Sequence, residues 1–462
     1  MMKIGTSGFR GIIGDSFNKE DVCKIVQATC KIIDKYNFKR EVVVGFDNRF
    51  MSEFFAKWVA EVLSANNIKV LFLEESVPSP LVSFVGKYLD KDISIMITSS
   101  HNPYFYNGIK IFSKQGQDLE MYLEKDFNKI LPKIKKYKSI NFDEAKQRGL
   151  VEFVDYTKEY VKSLENLMKF KKDIKIKTLF NVMNGSSYRQ IERLKKDLKL
   201  DIQIVNSNRD VTFNFDAPIP NEDKLQDYIK LAKKSGVDFA FATDGDGDRL
   251  AVIDNKGNFY NGNEIACLLY YFAIKEKGKD GAFVKNYSFS LLADKVCEKL
   301  GTQLITTKIG FKYIDEQLIE SNAILGAENS GIEINGGAYT KDGLAVFVLL
   351  LEIVNYYKKP LNEIIEKMKK EVGYDMVYKE VSFEVKNKQK IIDYFSKNKI
   401  IFSKKIVSYG TLDGFKYVFD DDSWVLIRFS GTENLLRLVC EQKTKKEVEE
   451  ILLEVKSLIE NI

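Results

Sequence analysis

The sequence has very little histidine: His101 is the only one among 462 residues. Chemistry that needs two histidines, such as the zinc site of an HExxH metalloprotease, is therefore excluded. Proton transfer in any active site must use His101 or a lysine, arginine, tyrosine or acidic side chain. The five cysteines are odd in number and form no Cys-x-x-Cys pair, which indicates reduced thiols of a cytoplasmic protein.

The chain also lacks long apolar runs and long blocks of one charge sign. No apolar stretch approaches the roughly 20 residues that a membrane-spanning helix needs, and the N-terminus lacks the long apolar core of a signal peptide. We therefore expect a cytoplasmic protein with no membrane partner. The net charge of +5 comes from dispersed lysines, which argues against a nucleic-acid partner and suits a phosphorylated substrate.

What the chain does contain is a repeated pattern of buried strands followed by helices. Three similar segments, each an apolar strand followed by a short polar turn, lie at residues 41–49, 177–185 and 281–288. Further strands are predicted at 93–97 and 237–241, and a helix at 224–232 precedes the second of these. Strand–helix alternation with buried strands indicates mostly parallel sheets that are covered on both faces.

The pattern changes after about residue 370. Strands are predicted at 381–385 and 424–428, and Thr444 with Glu447 forms a capping box that opens a C-terminal helix. The predicted fold class is α/β, with three similar α/β domains of mostly parallel mixed sheets and a smaller C-terminal α+β domain. The predicted boundaries are 1–147, 148–252, 253–370 and 371–462.

Two motifs point to phosphate and metal chemistry. Residues 98–103, Thr-Ser-Ser-His-Asn-Pro, follow an apolar strand, and open α/β sheets bind ligands at such strand ends. Ser100 could be a nucleophile or a phosphate carrier, whereas the simpler interpretation is an Asn-Pro turn with a solvated serine. The second motif places Asp244, Asp246 and Asp248 at alternate positions with glycines between them.

Three close carboxylates repel one another, so the second motif favours a bound hard cation over a solvated acidic turn. An EF-hand calcium loop is excluded because Arg249 occupies its sixth position and Asn255 its twelfth.

Three weaker motifs could bind a sugar phosphate. In residues 326–331, Glu328 and Ser330 could hydrogen-bond sugar hydroxyls, although an ordinary loop is the simpler interpretation. In residues 428–437, two arginines, two hydroxyls and a glycine turn could surround a phosphate, or the arginines could be ordinary surface charges. The glycine-rich segment 5–11 carries Arg10 but does not match a P-loop.

In this order, the five motifs resemble the α-D-phosphohexomutase superfamily of phosphoglucomutases and phosphomannomutases, from Thr6 to Arg437. Segments 45–49 and 77–80 are similar to the family as well. The resemblance implies four domains around a central cleft. It implies a phosphoserine at Ser100. It also implies that Asp244, Asp246, Asp248 and the phosphoserine hold Mg²⁺. Arg10, Lys110, Arg249 and His101 would lie at the reacting phosphoryl group, Glu328, Ser330, Gly310 and Lys341 at the sugar, and Arg428, Ser430, Gly431, Thr432 and Arg437 at the second phosphate.

The implied activity is that of an isomerase. The phosphoserine phosphorylates a hexose phosphate, the hexose 1,6-bisphosphate turns over, and its other phosphate returns to Ser100. Glucose 1,6-bisphosphate is the expected activator, a hexose phosphate the expected partner, and a monomer or homodimer the expected assembly. For His101 we favour a role in ordering the loop over general base catalysis, and Lys110 is the better acid/base candidate.

The sequence departs from the family at several positions. Ser99 stands where alanine is common, and Phe429 and Asn434 replace prolines in the phosphate loop. Phe311 and Ile332 stand where some bacterial phosphomannomutases carry histidine. We therefore favour glucose phosphate over mannose phosphate, with phosphoglucosamine mutase as a further alternative. A metal-dependent phosphatase and a catalytically silent sugar-phosphate sensor are the rival functions.

Overall fold

The computed structural model of the protein describes residues 8–171, 173–337, 340–429, 435–460 and 462. The described residues form four sheets, and each sheet is the centre of one domain. Three domains combine mixed sheets with helices and the last is smaller, as the sequence predicted, and the sheet of this last domain is antiparallel.

The first domain is built on a six-stranded sheet. In chain order its strands are β1 (Phe9–Ile12), β2 (Glu41–Phe46), β3 (Lys69–Leu73), β4 (Ile93–Ile97), β5 (Tyr106–Ser113) and β6 (Val151–Val154). Their spatial order is β1-β5-β4-β2-β3-β6. Strands β4, β2, β3 and β6 are parallel, and the antiparallel pairing lies at β5 and β1. The helices are α1 (Lys19–Tyr36), α2 (Ser52–Ala65), α3 (Ser79–Tyr88), α4 (Met121–Ile130) and α5 (Phe142–Gln147), with a short 3₁₀ turn at Leu131–Lys133.

The second domain has a five-stranded sheet in the spatial order β11-β10-β9-β7-β8. Its strands are β7 (Lys177–Asn181), β8 (Asp201–Val205), β9 (Phe239–Thr243), β10 (Leu250–Asp254) and β11 (Phe259–Tyr260). Strands β8, β7 and β9 are parallel, and β10 returns antiparallel to β9. The helices are α6 (Thr157–Leu167), α7 (Tyr188–Leu198) and α8 (Gln226–Ser235).

The third domain has a four-stranded sheet in the order β13-β12-β14-β15, parallel except for β15. Its strands are β12 (Phe283–Asn286), β13 (Leu304–Thr307), β14 (Leu325–Glu328) and β15 (Gly331–Ile334). Its helices are α9 (Gly262–Lys275), α10 (Leu292–Leu300), α11 (Phe311–Glu320), α12 (Gly343–Tyr357) and α13 (Leu361–Glu371).

The C-terminal domain has a five-stranded antiparallel sheet in the order β16-β20-β19-β18-β17. Its strands are β16 (Val377–Glu384), β17 (Ile406–Gly410), β18 (Phe415–Phe419), β19 (Trp424–Phe429) and β20 (Leu435–Gln442). Helices α14 (Lys388–Lys397) and α15 (Lys445–Glu460) belong to it. The predicted capping box is present, because Thr444 N donates to Glu447 Oε2 at 2.9 Å and Glu447 N to Thr444 Oγ1 at 3.2 Å.

Helix α12 joins the second and third domains. It is apolar around most of its circumference, as expected of a helix that is buried on all sides. Phe347 on this helix contacts Phe180 and Phe241 of the second sheet, with ring centroids 4.9 and 5.4 Å apart. One continuous apolar cluster therefore spans the junctions of the first three domains, which fixes the loops at their strand ends relative to one another.

Two short strands pair with the sheet that precedes them in the chain. Strand β6 pairs with β3 in the first sheet although it follows residue 147, and β11 pairs with β10 although it follows residue 252. The domain boundaries themselves stay a prediction. Within the described part of the chain, every helix is too short or too polar to span a lipid bilayer.

Candidate active site

The loop between β4 and β5 presents Ser100 in an unusual backbone conformation. Its φ is +52°, a left-handed value that is uncommon for residues other than glycine and occurs at functional sites. The Ser100 amide donates to Thr98 Oγ1 at 2.8 Å, and Thr98 Oγ1 donates to Asp47 Oδ2 at 2.6 Å. These bonds fix the backbone of the loop at Ser100, and only 1% of the residue is exposed.

A buried arginine, Arg49, holds the same loop through hydrogen bonds to its backbone. Arg49 donates to the carbonyl oxygens of Ser100, Asn102 at 2.7 Å and Pro103 at 3.0 Å. Its Nε lies 3.3 Å from Asp47 Oδ2, and both side chains are fully buried. The 45–49 segment was noted in the sequence, but this loop-holding role was missed. An arginine directly after a buried strand was the available signal, since arginine is rarely buried unless paired.

The second motif forms a compact cluster of carboxylates between β9 and β10. Asp244, Asp246 and Asp248 are at most 3% exposed, and a ligand oxygen from each lies within 4.8 Å of the others. Asp246 Oδ1 and Asp248 Oδ1 are buried without a hydrogen-bond partner. Buried carboxylate oxygens are normally satisfied, so the cluster fits a hard divalent cation. Burial and the two neighbouring carboxylates raise the pKa of Asp244 to about 8.

The two motifs meet at the Ser100 hydroxyl. Ser100 Oγ donates to Asp244 Oδ2 at 2.7 Å. The two loops also touch through their backbones, because a Cβ on Gly245 would lie only 2.9 Å from the Ser100 carbonyl oxygen. Glycine is needed at this position for the close approach. The structure thus joins two motifs that are 144 residues apart in sequence.

Lys110 lies on β5 and points at the same carboxylates. Its Nζ is 2.7 Å from Asp246 Oδ2 and 2.7 Å from Asp248 Oδ2. Burial alone would lower the pKa of Lys110, but attraction to these two carboxylates outweighs it and raises the pKa. Lys110 is therefore a cation in this arrangement. Ser79, which the sequence analysis did not single out, donates to Asp246 Oδ2 at 2.6 Å.

Two further cations and the histidine complete this side of the site. Arg10 Nη1 donates to Asn102 Oδ1 at 2.9 Å, and Arg249 Nε is buried without a hydrogen-bond partner. His101 Nδ1 lies 3.3 Å from Ser100 Oγ. Burial, followed by repulsion from Arg249 and Arg10, lowers the pKa of His101 well below its ordinary value. The imidazole is therefore neutral near pH 7.

The third domain brings one of its predicted residues, Lys341, to the carboxylate cluster. Lys341 Nζ lies 3.5 Å from Asp248 Oδ2. A Cβ on Gly331, directly after Ser330, would lie 2.6 Å from Lys341 Cδ, so the 326–331 loop packs on this lysine. Glu328 Oε1 accepts from Gly310 N at 2.9 Å and from Asn286 Nδ2 at 3.1 Å.

The C-terminal domain contributes a pair of arginines. Arg428 on β19 and Arg437 on β20 are direct partners in the antiparallel register. Like charges in this position repel, and Arg437 Nε is buried without a hydrogen-bond partner. Both observations fit an anionic ligand. Ser430, Gly431 and Thr432 lie outside the described residues.

Comparison with known proteins agrees with this arrangement. Models of the four phosphoglucomutase/phosphomannomutase domains match the chain: α/β/α domain I at residues 1–139, domain II at 158–257, domain III at 261–371 and the C-terminal domain at 380–458. The chain belongs to this family. It is an intramolecular phosphotransferase with the four-domain fold predicted from the sequence.

Individual relatives cover nearly the whole chain. A phosphoglucomutase/phosphomannomutase of Thermococcus kodakarensis is 30% identical, over 97% of this chain and 96% of that protein. A phosphoglucosamine mutase of Clostridium botulinum is 29% identical, over 98% of both chains. The crystal structure of a putative phosphomannomutase from Thermus thermophilus superposes with a TM-score of 0.88 at 25% identity, over 99% of both chains.

Proposed function

We propose that the protein interconverts hexose 1-phosphate and hexose 6-phosphate through a phosphorylated Ser100 and a hexose 1,6-bisphosphate intermediate. The observation that carries the proposal is the 2.7 Å contact between Ser100 Oγ and Asp244 at the edge of a buried carboxylate cluster. A phosphoryl group on this hydroxyl would face the cluster, Arg10 and Arg249. Such an arrangement of charges suits phosphoryl transfer, in which positioning and electrostatics supply most of the catalysis.

Ser100 rather than Ser99 is the proposed phosphoryl carrier. Ser99 is fully buried, and its hydroxyl lies 3.2 Å from Asn102 Oδ1, within its own loop. The Ser100 hydroxyl instead points at the carboxylates. A hydroxyl that carries a phosphoryl group needs cationic neighbours to offset the added charge, and Arg249 and Arg10 lie close enough to the adjacent His101 to lower its pKa.

Asp244, Asp246 and Asp248 would hold Mg²⁺, because carboxylate oxygens and a phosphoryl oxygen are the ligands this ion prefers. When bound, the ion supplies Lewis-acid stabilisation of charge on the transferring phosphoryl group. The chain's own cations, Arg10 and Arg249, would bind the same group. The neutral His101 would order the Ser100 loop. Lys110, which lies beside Ser79 and the carboxylates, would be the acid/base residue.

The substrate would be held at its two ends by different domains. Glu328, Ser330, Gly310 and Lys341 would contact the sugar. Arg428 and Arg437, with the predicted Ser430, Gly431 and Thr432, would bind the phosphate that is not being transferred. The repulsion between the two register-paired arginines supports this proposal, because a bound phosphate would relieve it.

For the sugar we propose glucose phosphate, on the sequence features at Phe311 and Ile332 that separate the chain from some phosphomannomutases. Glucosamine phosphate is the second candidate. This candidate is supported by the phosphoglucosamine mutase of Clostridium botulinum. Its sequence identity to this chain, 29%, is one percentage point below the 30% of the relative from Thermococcus kodakarensis.

The decisive experiment measures turnover of the 1-phosphates of glucose, mannose and glucosamine with Mg²⁺ and catalytic amounts of the matching 1,6-bisphosphate. Ser100→Ala should abolish turnover, whereas its matched control Ser99→Ala should retain it. Mass spectrometry should locate the phosphoryl group at residue 100. Stoichiometric release of inorganic phosphate would instead establish a phosphatase, and absence of turnover on all three sugars by the folded protein would contradict the proposal.

A further inference from the structure

Asp413 makes two contacts that connect the C-terminal domain to the third domain. Its Oδ1 accepts from Arg428 Nε at 3.1 Å, within the C-terminal domain. Its Oδ2 accepts from the backbone amide of Ile309 at 2.9 Å, in the third domain. The carboxylate is about one-quarter exposed, at 23%, and Arg428 is 19% exposed. A single side chain therefore contacts an arginine of the proposed phosphate site and a loop of the proposed sugar site.

The turn that carries Asp413 is fixed against the strand that carries Arg428. Asp413 and Gly414 connect β17 to β18, and Gly414 has a φ of +100°. A Cβ at Gly414 would lie 2.7 Å from the Ile427 carbonyl oxygen and 3.2 Å from Arg428 Cα. Only glycine tolerates both the backbone conformation and this approach. The position of Asp413 relative to Arg428 is consequently set by the backbone and not by side-chain rotation alone.

The chemistry of this contact leaves the guanidinium able to bind a phosphate. A guanidinium group is planar and carries five N–H donors, and two of these donors can bind one phosphate through parallel hydrogen bonds. Asp413 contacts the Nε edge, which restrains rotation of the planar group. Because Arg428 also faces Arg437 across the sheet, a carboxylate at this edge offsets part of the repulsion between the two cations.

The second contact reaches the proposed sugar-binding residues. The Ile309 amide donates a hydrogen bond to Asp413. Ile309 directly precedes Gly310, and Gly310 N donates to Glu328 Oε1 at 2.9 Å. A movement of the Asp413 turn away from the third domain would break the first bond and release the peptide next to the second. The same carboxylate thus contacts an arginine of the proposed phosphate site and the peptide next to a residue of the proposed sugar site.

We propose that Asp413 is a positioning residue for the mutase reaction. It orients Arg428 toward the phosphate that is not being transferred, and it ties this arginine to the 309–310 loop that holds Glu328. The inference rests on the proposed function, because it assigns the sugar and phosphate ends of one substrate to these two loops.

The test compares Asp413→Ala, Asp413→Asn and Arg428→Ala with the double variant D413A/R428A. Loss of a hydrogen bond to a charged group predicts an increase of about 10-fold or more in KM for glucose 1-phosphate in D413A, with kcat changed by less than about 3-fold. D413N keeps an acceptor for the Ile309 amide and should show a smaller increase. In the R428A background, D413A should raise KM by a smaller factor than in the wild type, because residues that act through one another are not additive and only the Ile309 contact is then left to lose.

Asp421→Asn is the matched control. Asp421 is a turn aspartate of the same domain, 33% exposed, and pairs with Lys404 at 2.7 Å. It should leave KM unchanged. An equal loss from D413A in the presence and absence of Arg428, or an unchanged KM in D413A, would overturn the inference while the mutase function stands. A wild-type protein that neither turns over nor binds glucose 1-phosphate by calorimetry would overturn both.

Discussion

Replacement of Arg49 by methionine tests how the buried Asp47–Arg49 pair supports the Ser100 loop. Both side chains are 0% exposed, and Arg49 also donates to three carbonyl oxygens of the loop. Arg49→Met keeps much of the apolar stem but leaves Asp47 as a buried, unpaired charge. The loop then loses the donors that hold Ser100 in its left-handed conformation.

The expected loss of stability is about 3–5 kcal/mol, the cost of removing one partner from a buried ion pair. Burial raises the pKa of Asp47, and attraction to Arg49 opposes that rise. Without Arg49 the folded-state pKa moves further above the unfolded value. Asp47 then contributes stability at low pH that is lost as the pH rises, so the deficit of the variant should be larger at pH 8 than at pH 5.

The assay is urea unfolding at both pH values, together with turnover at pH 7.5. We expect kcat to fall by about 100-fold, the order of effect that a displacement of 1 Å at a reacting group produces. Asp47→Asn combined with Arg49→Met removes the unpaired charge and should recover part of the lost stability. A loss below about 1 kcal/mol in Arg49→Met, with no dependence on pH, would refute the reasoning.

Three further predictions concern other parts of the chain. Burial raises the pKa of Asp342 to about 6, so its contribution to stability should decline by about 2 kcal/mol as the pH rises from 4 to 6; Asp342→Asn, which keeps an acceptor for the amides of helix α12, should lose this part of the pH dependence in urea unfolding. Mg²⁺ at about 100 times its Kd should stabilise the wild type by about 2.7 kcal/mol, and a calorimetric titration of Asp246→Asn should show this binding lost. Phe347→Ala should cost about 3–5 kcal/mol in urea unfolding, whereas Leu453→Ala, 65% exposed, should cost less than about 0.5 kcal/mol.

Local patterns in the sequence were sufficient to predict much of the fold. The strands β2, β4 and β19 coincide with predicted apolar segments, because β-branched and aromatic residues in short runs signal buried strands. The sequence did not predict that β6 and β11 extend the preceding sheets. Both strands are short, and pairing of a short strand is decided by tertiary contacts that periodicity does not record.

The site was less predictable because its contacts cross domains. The motifs at Ser100 and Asp244 could each be found in the sequence, but their 2.7 Å contact depends on how two sheets pack. The roles of single residues within segments 45–49 and 77–80 were not predicted, although both segments were noted. Ser79 contacts Asp246, and Asn48 Nδ2 donates to the carbonyl oxygens of Asn184 and Gly185 at 2.9 and 2.8 Å. Serine and asparagine in such positions are typical of ordinary turns.

The candidate site is assembled from residues of different domains. The hydroxyl of Ser100 belongs to the first domain, its carboxylate partner Asp244 to the second, and Lys341, which contacts the same cluster, to the third. Asp413 adds the C-terminal domain through the Ile309 amide. A site of this kind is complete only when all four domains are in place, so a rearrangement of any one of them changes the geometry of the candidate site. Substitutions at the junctions should therefore alter turnover even where they touch no substrate atom.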